Sequence, residues 1–224
     1  MKIALFGDIH GYFEHGRSSA IKVFQEVIAS LKADLILQVG DMCYYTSPAR
    51  PIYWIYGNND SVKVVQEIQR GESSLQNLIP IKTGEPLTFY NGTEQIKLSG
   101  LNGAYDPFLY PLSKNQFTEE WQKGYFVKED LEACLGLKGL DIFLVHGCPW
   151  GLDFHWRGQD MGEKTFRWLL DAIEPRFMFC GHAHFYKEIT YNHRVRVISL
   201  AEFKQEYYLL DTLSGELTRI PTAH

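Results

Sequence analysis

Lys2-Ile3-Ala4-Leu5-Phe6-Gly7-Asp8-Ile9-His10-Gly11 opens the chain, and its reading decides the fold. The run Ile3 to Phe6 is short and wholly apolar. It reads as a strand buried on both faces, as in a parallel sheet covered by helices. It stops at Gly7-Asp8, so two polar residues, Asp8 and His10, follow directly on the strand end.

The pattern repeats outward from this stretch. Ala20, Val23, Phe24, Val27, Ile28 and Leu31 recur at helical spacing, which predicts a helix over about Ser19–Lys32 with Ser18 or Ser19 as its cap. Leu35–Val39 and Ile52–Tyr56 read as further buried strands, and this β-α-β opening implies a parallel pair with a right-handed crossover. Helices are expected at Ser61–Gln69, Lys128–Leu135 and Glu163–Glu174, with strands at Asp141–Val145 and Arg176–Cys180. Asn91-Gly92 predicts a hairpin between Leu87–Tyr90 and Gln95–Leu98, and Asn192-His193 another between Glu188–Tyr191 and Val195–Ser199. Tyr207–Asp211 and Glu216–Arg219 close the chain as an antiparallel pair. Two stretches, Asn102–Gln122 and Gly147–Gly162, read as irregular, the first as a long functional loop or cap. No linker or repeat interrupts residues 1–224, so one α/β domain with two sheets between helices is expected.

Composition excludes several classes. Of 224 residues, 45% are hydrophobic and 22% charged, ordinary globular proportions that rule out disorder, collagen and coiled coil. A net charge of −5 excludes a chain that is basic throughout and grips long nucleic acid by its backbone. No apolar run approaches the ~20 residues of a membrane span, and no signal-peptide core is evident. Cys43, Cys134, Cys148 and Cys180 lie far apart without a CxxC pair and read as reduced thiols. A cytoplasmic protein with no membrane partner and no obligate protein partner is the expectation.

The chemistry sits at the strand ends. Asp8 and His10 follow the first strand, Asp41 the second, and Asn58, Asn59 and Asp60 the third. His146 follows Asp141–Val145, while His182 and His184 follow Arg176–Cys180. The C-terminal ends of parallel strands share an edge, which brings these distant residues together. Oxygen and imidazole donors mixed in this way suit Mn²⁺, Fe²⁺, Zn²⁺ or Ni²⁺. Seven of them, Asp8, His10, Asp41, Asn58, His146, His182 and His184, are too many for one catalytic ion. They suit a pair of ions ~3.5–4 Å apart that share a carboxylate and a hydroxide.

Gly7-Asp8-Ile9-His10-Gly11, Gly40-Asp41, Gly57-Asn58-Asn59-Asp60, Val145-His146-Gly147 and Gly181-His182-Ala183-His184 resemble, in order, the five signature blocks of the calcineurin-like metallophosphoesterases. The resemblance implies a four-layer α/β/β/α sandwich with two mixed sheets. It implies two divalent ions per chain, with Mn²⁺ the first expectation. One would be held by Asp8, His10 and His184 and the other by Asn58, His146 and His182, with Asp41 bridging. It further implies a phosphoester hydrolase in which a metal-bridging hydroxide attacks phosphorus in line, Asn58 and His146 stabilising charge on the equatorial oxygens. Ile96–Tyr105, Gly139–Pro149 and Phe177–His184 are also similar, more loosely, to the catalytic domain of RNA lariat debranching enzymes and their prokaryotic relatives.

Two positions depart from the family pattern. The block matched by Gly57-Asn58-Asn59-Asp60 usually carries a His that protonates the leaving group, and here that position is Asn59, which can donate a hydrogen bond but not a proton. The Asp-Arg pair that often follows the second block in phosphatases is absent from Asp41-Met42-Cys43-Tyr44-Tyr45. The missing acid favours phosphodiesters among small phosphoesters, nucleotides or short oligonucleotides, with Asn58, Asn59 and His146 catalytic and Asn59, Arg157 and Tyr105 as substrate contacts. The alternatives are a phosphomonoesterase (a nucleotidase or protein phosphatase) and a non-catalytic scaffold of the same fold. His15, His193 and His224 read as surface residues.

Overall fold

The computed structural model describes residues 1–13 and 19–222. His15, His224 and the alternative cap Ser18 lie outside them. In chain order the elements are β1 (Lys2–Phe6), α1 (Ala20–Ser30), β2 (Leu35–Gln38), β3 (Ile52–Trp54), α2 (Val62–Gln69), β4 (Leu78–Pro80), β5 (Leu87–Asn91) and β6 (Glu94–Leu101). After them come α3 (Lys128–Leu135), β7 (Ile142–Val145), β8 (His155–Trp156), β9 (Gln159–Asp160), α4 (Lys164–Ile173) and β10 (Phe177–Cys180). The chain closes with β11 (Lys187–Tyr191), β12 (Val195–Ser199), β13 (Glu206–Asp211) and β14 (Leu217–Pro221).

One six-stranded sheet runs β14-β13-β1-β2-β3-β4 and the other β11-β12-β10-β7-β6-β5. In the first, β1 to β4 are parallel neighbours and β13 and β14 antiparallel additions. In the second, β12, β10, β7 and β6 are parallel, flanked by antiparallel β11 and β5. Both sheets are therefore mixed.

Strand periodicity explains why the central strands are apolar without interruption. Ile3 and Leu5 of β1 face the core between the sheets, where they meet Leu144 and Phe179 from the opposite sheet. Ala4 and Phe6 point the other way, into a core closed by Phe24 and Ile28 of α1 and Val65 of α2. In the second sheet Ile142 and Leu144 face inward, while Phe143 and Val145 meet Leu131 of α3 and Leu169 and Leu170 of α4. With a period of two residues and a hydrophobic core on each face, every position must be apolar. The layers are α/β/β/α.

One strand has no sequence signal and two local expectations need correction. The short β4, ending in Pro80, carries too few residues for its periodicity to show in sequence. The Asn91-Gly92 turn falls one residue later, because Asn91 still pairs with Glu94 and Gly92 supplies the positive φ of 62°. The stretch 147–162 is not wholly irregular. It holds the β8–β9 hairpin, turned at Arg157-Gly158 with φ of 50° and 82°. The Asn192-His193 turn adopts positive φ at both residues, as expected of a type I′ hairpin.

Candidate metal centre

The C-terminal ends of β1, β2, β3, β7 and β10 meet at one edge, where hydrogen bonds tie the two sheets together. The His182 amide donates to Asp8 Oδ2 at 3.2 Å, and His146 Nδ1 lies 2.9 Å from the Val39 carbonyl. Buried Gln38 links the loops after β1 and β2, its amide donating to the Gly7 carbonyl at 3.3 Å and its Oε1 accepting from the Gly40 amide at 3.0 Å.

Two donor clusters form there: Asp8, His10 and His184, and Asp41, His146 and His182, each with its ligand atoms within 4.8 Å of one another. In the first, His184 Nε2 is 2.6 Å from Asp8 Oδ2 and 3.4 Å from His10 Nε2. Its other nitrogen, Nδ1, lies 3.2 Å from Glu202, which also pairs with Lys204 at 2.8 Å. Asp8 and Glu202 push the His184 imidazole up to about 10, against the effect of burial.

The second cluster is buried more deeply at Asp41 and His146. With Nδ1–H donated to the Val39 carbonyl, Nε2 of His146 is the nitrogen left for a cation, which would displace any proton held there. Nε2 lies 3.4 Å from Asp41 Oδ2 but makes no hydrogen bond, and Oδ1 of Asn58 is likewise buried without a partner. Buried polar atoms without a hydrogen-bond partner are costly in a folded protein, and an imidazole nitrogen and a carboxamide oxygen fit a cation. Burial alone would lower the His146 imidazole, but the Asp41 carboxylate lifts it to about 9. Burial would raise Asp41, yet His146 and two hydrogen bonds from Asn59 hold it well below the usual carboxylate range. Those bonds come from the Asn59 backbone at 2.9 Å and its side-chain amide at 2.7 Å. His182 is lowered by burial first and by the charge of His146 second.

Backbone geometry also marks the site. Asp41, His182 and His184 hold positive φ of 57°, 61° and 60°, a region that L residues enter at a cost and that clusters at functional sites. Gly57 is required for another reason: a Cβ there would stand 2.3 Å from Asp41 Oδ1 and 2.6 Å from His146 Nε2. The buried Asp60 carboxylate fixes the loops, accepting from the amides of Asp41, Gly57 and Cys43 at 2.8, 2.9 and 2.9 Å and from the Tyr45 hydroxyl at 2.9 Å.

The sequence profile of calcineurin-like phosphoesterases matches residues 1–186. The chain belongs to that family. This phosphoesterase also shares its fold with solved structures. TT1561 of Thermus thermophilus superimposes with a TM-score of 0.63 at 16% identity, over 99% of both chains. GAP50, the anchor in the inner membrane complex of Plasmodium, gives 0.56 at 12% identity over 100% of this chain and 89% of its own. The 5'-nucleotidase from Candida albicans gives 0.50 at 11%, over 99% of this chain and 52% of its own. No curated protein sequence matches.

The phosphoesterase blocks hold six of the seven expected ligands in the two clusters; the seventh, Asn58, follows Gly57, which packs against Asp41 and His146, and its Oδ1 is buried without a partner. Tyr105 packs against Tyr110 and Phe126 at 5.5 and 6.0 Å between ring centres, and Arg157 lies over the Trp156 ring at 5.8 Å. Sequence reasoning missed Glu202 and Gln38. Glu202 had a signal, being one more polar residue just beyond a buried strand, whereas Gln38 is hidden inside the β2 run.

Proposed function

We propose that this chain is a two-metal phosphodiesterase acting on small phosphoesters, nucleotides or short oligonucleotides. The observation that carries the reading is the pair of donor clusters, Asp8, His10 and His184 beside Asp41, His146 and His182, with His146 Nε2 and Asn58 Oδ1 buried and without hydrogen-bond partners. The donor set suits two Mn²⁺ ions, with Fe, Zn or Ni also matching its oxygen and imidazole atoms. When bound, such ions supply positive charge for phosphoryl oxygens and make water more acidic.

The protein's own residues do the rest. Val39 fixes the His146 tautomer, Asn59 and Asp60 hold Asp41 from two directions, and Glu202 steadies His184. Asn58 and His146 would stabilise charge on the phosphoryl oxygens, and Asn59, once its amide is spent on Asp41, has no proton to give a leaving oxygen. Diesters and activated leaving groups are favoured for that reason. A reducing compartment such as the cytoplasm belongs to this reading.

The test is hydrolysis by Mn²⁺-loaded protein of matched aryl mono- and diesters. Diesters should be cut faster, and chelation should abolish both activities. Asn59→His should restore an acid worth roughly 10²–10⁴-fold on poor leaving groups, with little gain on activated ones. The dependence of rate on leaving-group pKa should therefore be steeper in the parent protein. Faster cleavage of alkyl monoesters by the parent, or equal slopes, would assign the acid to another residue and overturn the diester reading.

A further inference from the structure

Beside the second cluster lies a cavity of about 230 Å³, whose walls include His182, Tyr105, Phe166, Met161, Asp160 and Glu163. No Lys or Arg lines it among the described residues. The two carboxylates differ. Asp160 is committed to structure, its oxygens accepting from the amides of Gly151 at 2.9 Å and Gly162 at 2.8 Å. Glu163 is anchored through its backbone alone, its amide donating to the Cys148 carbonyl at 2.8 Å and its carbonyl accepting from the Trp150 amide at 3.1 Å. Its carboxylate makes no hydrogen bond or ion pair among the described residues.

Together with Tyr105, Phe166 and Met161, an unpaired carboxylate describes a receptor for an organic cation. Aromatic faces and a polarizable sulfur accept the alkyl-ammonium surface, and the carboxylate supplies the counter-charge. The same walls repel an anionic substituent, as a continuing polynucleotide would present. The volume accommodates a short aminoalkyl group rather than a drug-sized one.

We propose that this cavity receives the ammonium-bearing substituent of a small phosphoester, with Glu163 as its counter-ion and Tyr105 and Phe166 as its walls. The inference rests on the phosphoester-hydrolase reading of the adjoining centre and narrows its substrate to aminoalkyl phosphoesters. Burial, and then the charge of Asp160, raise the Glu163 carboxyl above its ordinary value, as happens to an acid with no cation nearby.

Calorimetry of the Mn²⁺-loaded protein with 2-aminoethylphosphonate and its uncharged analogue propylphosphonate tests the cavity without turnover. The ammonium ligand should bind roughly 10-fold tighter. Glu163→Gln should shrink that ratio to about 2-fold or less, and Glu163→Lys should invert it in favour of 3-phosphonopropionate. The parent measurement needs no variant, and Tyr105→Leu gives a second, independent reduction of the ratio. Equal affinities in the parent, binding of neither phosphonate, or a ratio unchanged in Glu163→Gln would overturn the proposal. Discrimination without hydrolysis of any ester would sustain the cavity and sink the phosphodiesterase reading. Hydrolysis of aryl diesters with equal phosphonate affinities would do the reverse.

Discussion

The two donor clusters are built from similar residues but handle their charges differently. Asp8, His184, Glu202 and Lys204 form a chain of alternating charge, so the first cluster satisfies itself from within. In the second, His146 is fixed by a main-chain carbonyl, and its free nitrogen and the Asn58 oxygen stay unpaired in a buried space. The first arrangement can relax by rotating partly exposed side chains. The second is locked at Asp41 and His146 by Val39, Gly57 and Asp60, with only its third donor, His182, exposed, so most of its ordering cost is met when the chain folds. The second cluster should therefore bind its ion more tightly, with the first following at higher concentration.

The largest test of that contrast is Asp41→Asn. Asp41 sits in the second cluster and is the residue expected to bridge to the first, so both ions should weaken. Loss of an outer-sphere partner commonly costs 10–100-fold in metal affinity, so a shared ligand should cost at least ~100-fold. Elemental analysis after Mn²⁺ loading and desalting should fall from two ions per chain towards none. Retention of two ions would remove Asp41 from the centre. Gly57→Ala comes next: its Cβ would press on Asp41 Oδ1 and His146 Nε2 from 2.3 and 2.6 Å, both part of a locked set. One ion should be lost, and it should be the tighter one; loss of the weaker ion would reverse the ranking of the clusters. A smaller effect is expected of Glu202→Gln, which removes the charge behind His184 but leaves its carbonyl oxygen. The weaker ion should bind about 10-fold less well while the tighter one is unaffected, a split that titration calorimetry resolves.

Burial also governed what could be read from sequence. The central strands were legible because each faces two cores, so Ile3–Phe6, Ile142–Val145 and Phe177–Cys180 are continuously apolar. The ligands were legible because each closes such a strand. The β8–β9 hairpin was not, since two-residue strands have no period and its turn is Arg157-Gly158 rather than Asn-Gly. Asp60 was visible as a polar loop residue, but three of its four hydrogen bonds depend on the approach of the 41–45 segment, which local sequence does not encode. Glu163 read as the first residue of a helix, and only the cavity beside His182 gives it another meaning.

The smallest expected effect extends the contrast to that residue. If the second cluster's surroundings keep unpaired groups for a ligand, Glu163 should cost stability rather than supply it. Its folded-state carboxyl is raised by burial and by Asp160, so the folded chain holds the proton more tightly than the unfolded chain. The ionised form is then the destabilising one. Its cost is complete above the folded-state value and disappears as pH falls below the unfolded value, about 4.3 for Glu. Glu163→Gln keeps the shape and removes the charge, so its Tm should exceed the parent's at pH 7, by no more than about 2 °C for a chain of this size and a partly exposed group. The difference should close on acidification towards pH 4. A Tm that falls at pH 7 would mean that the carboxylate is already stabilised by the fold, and the second cluster's surroundings would then be as self-sufficient as the first's.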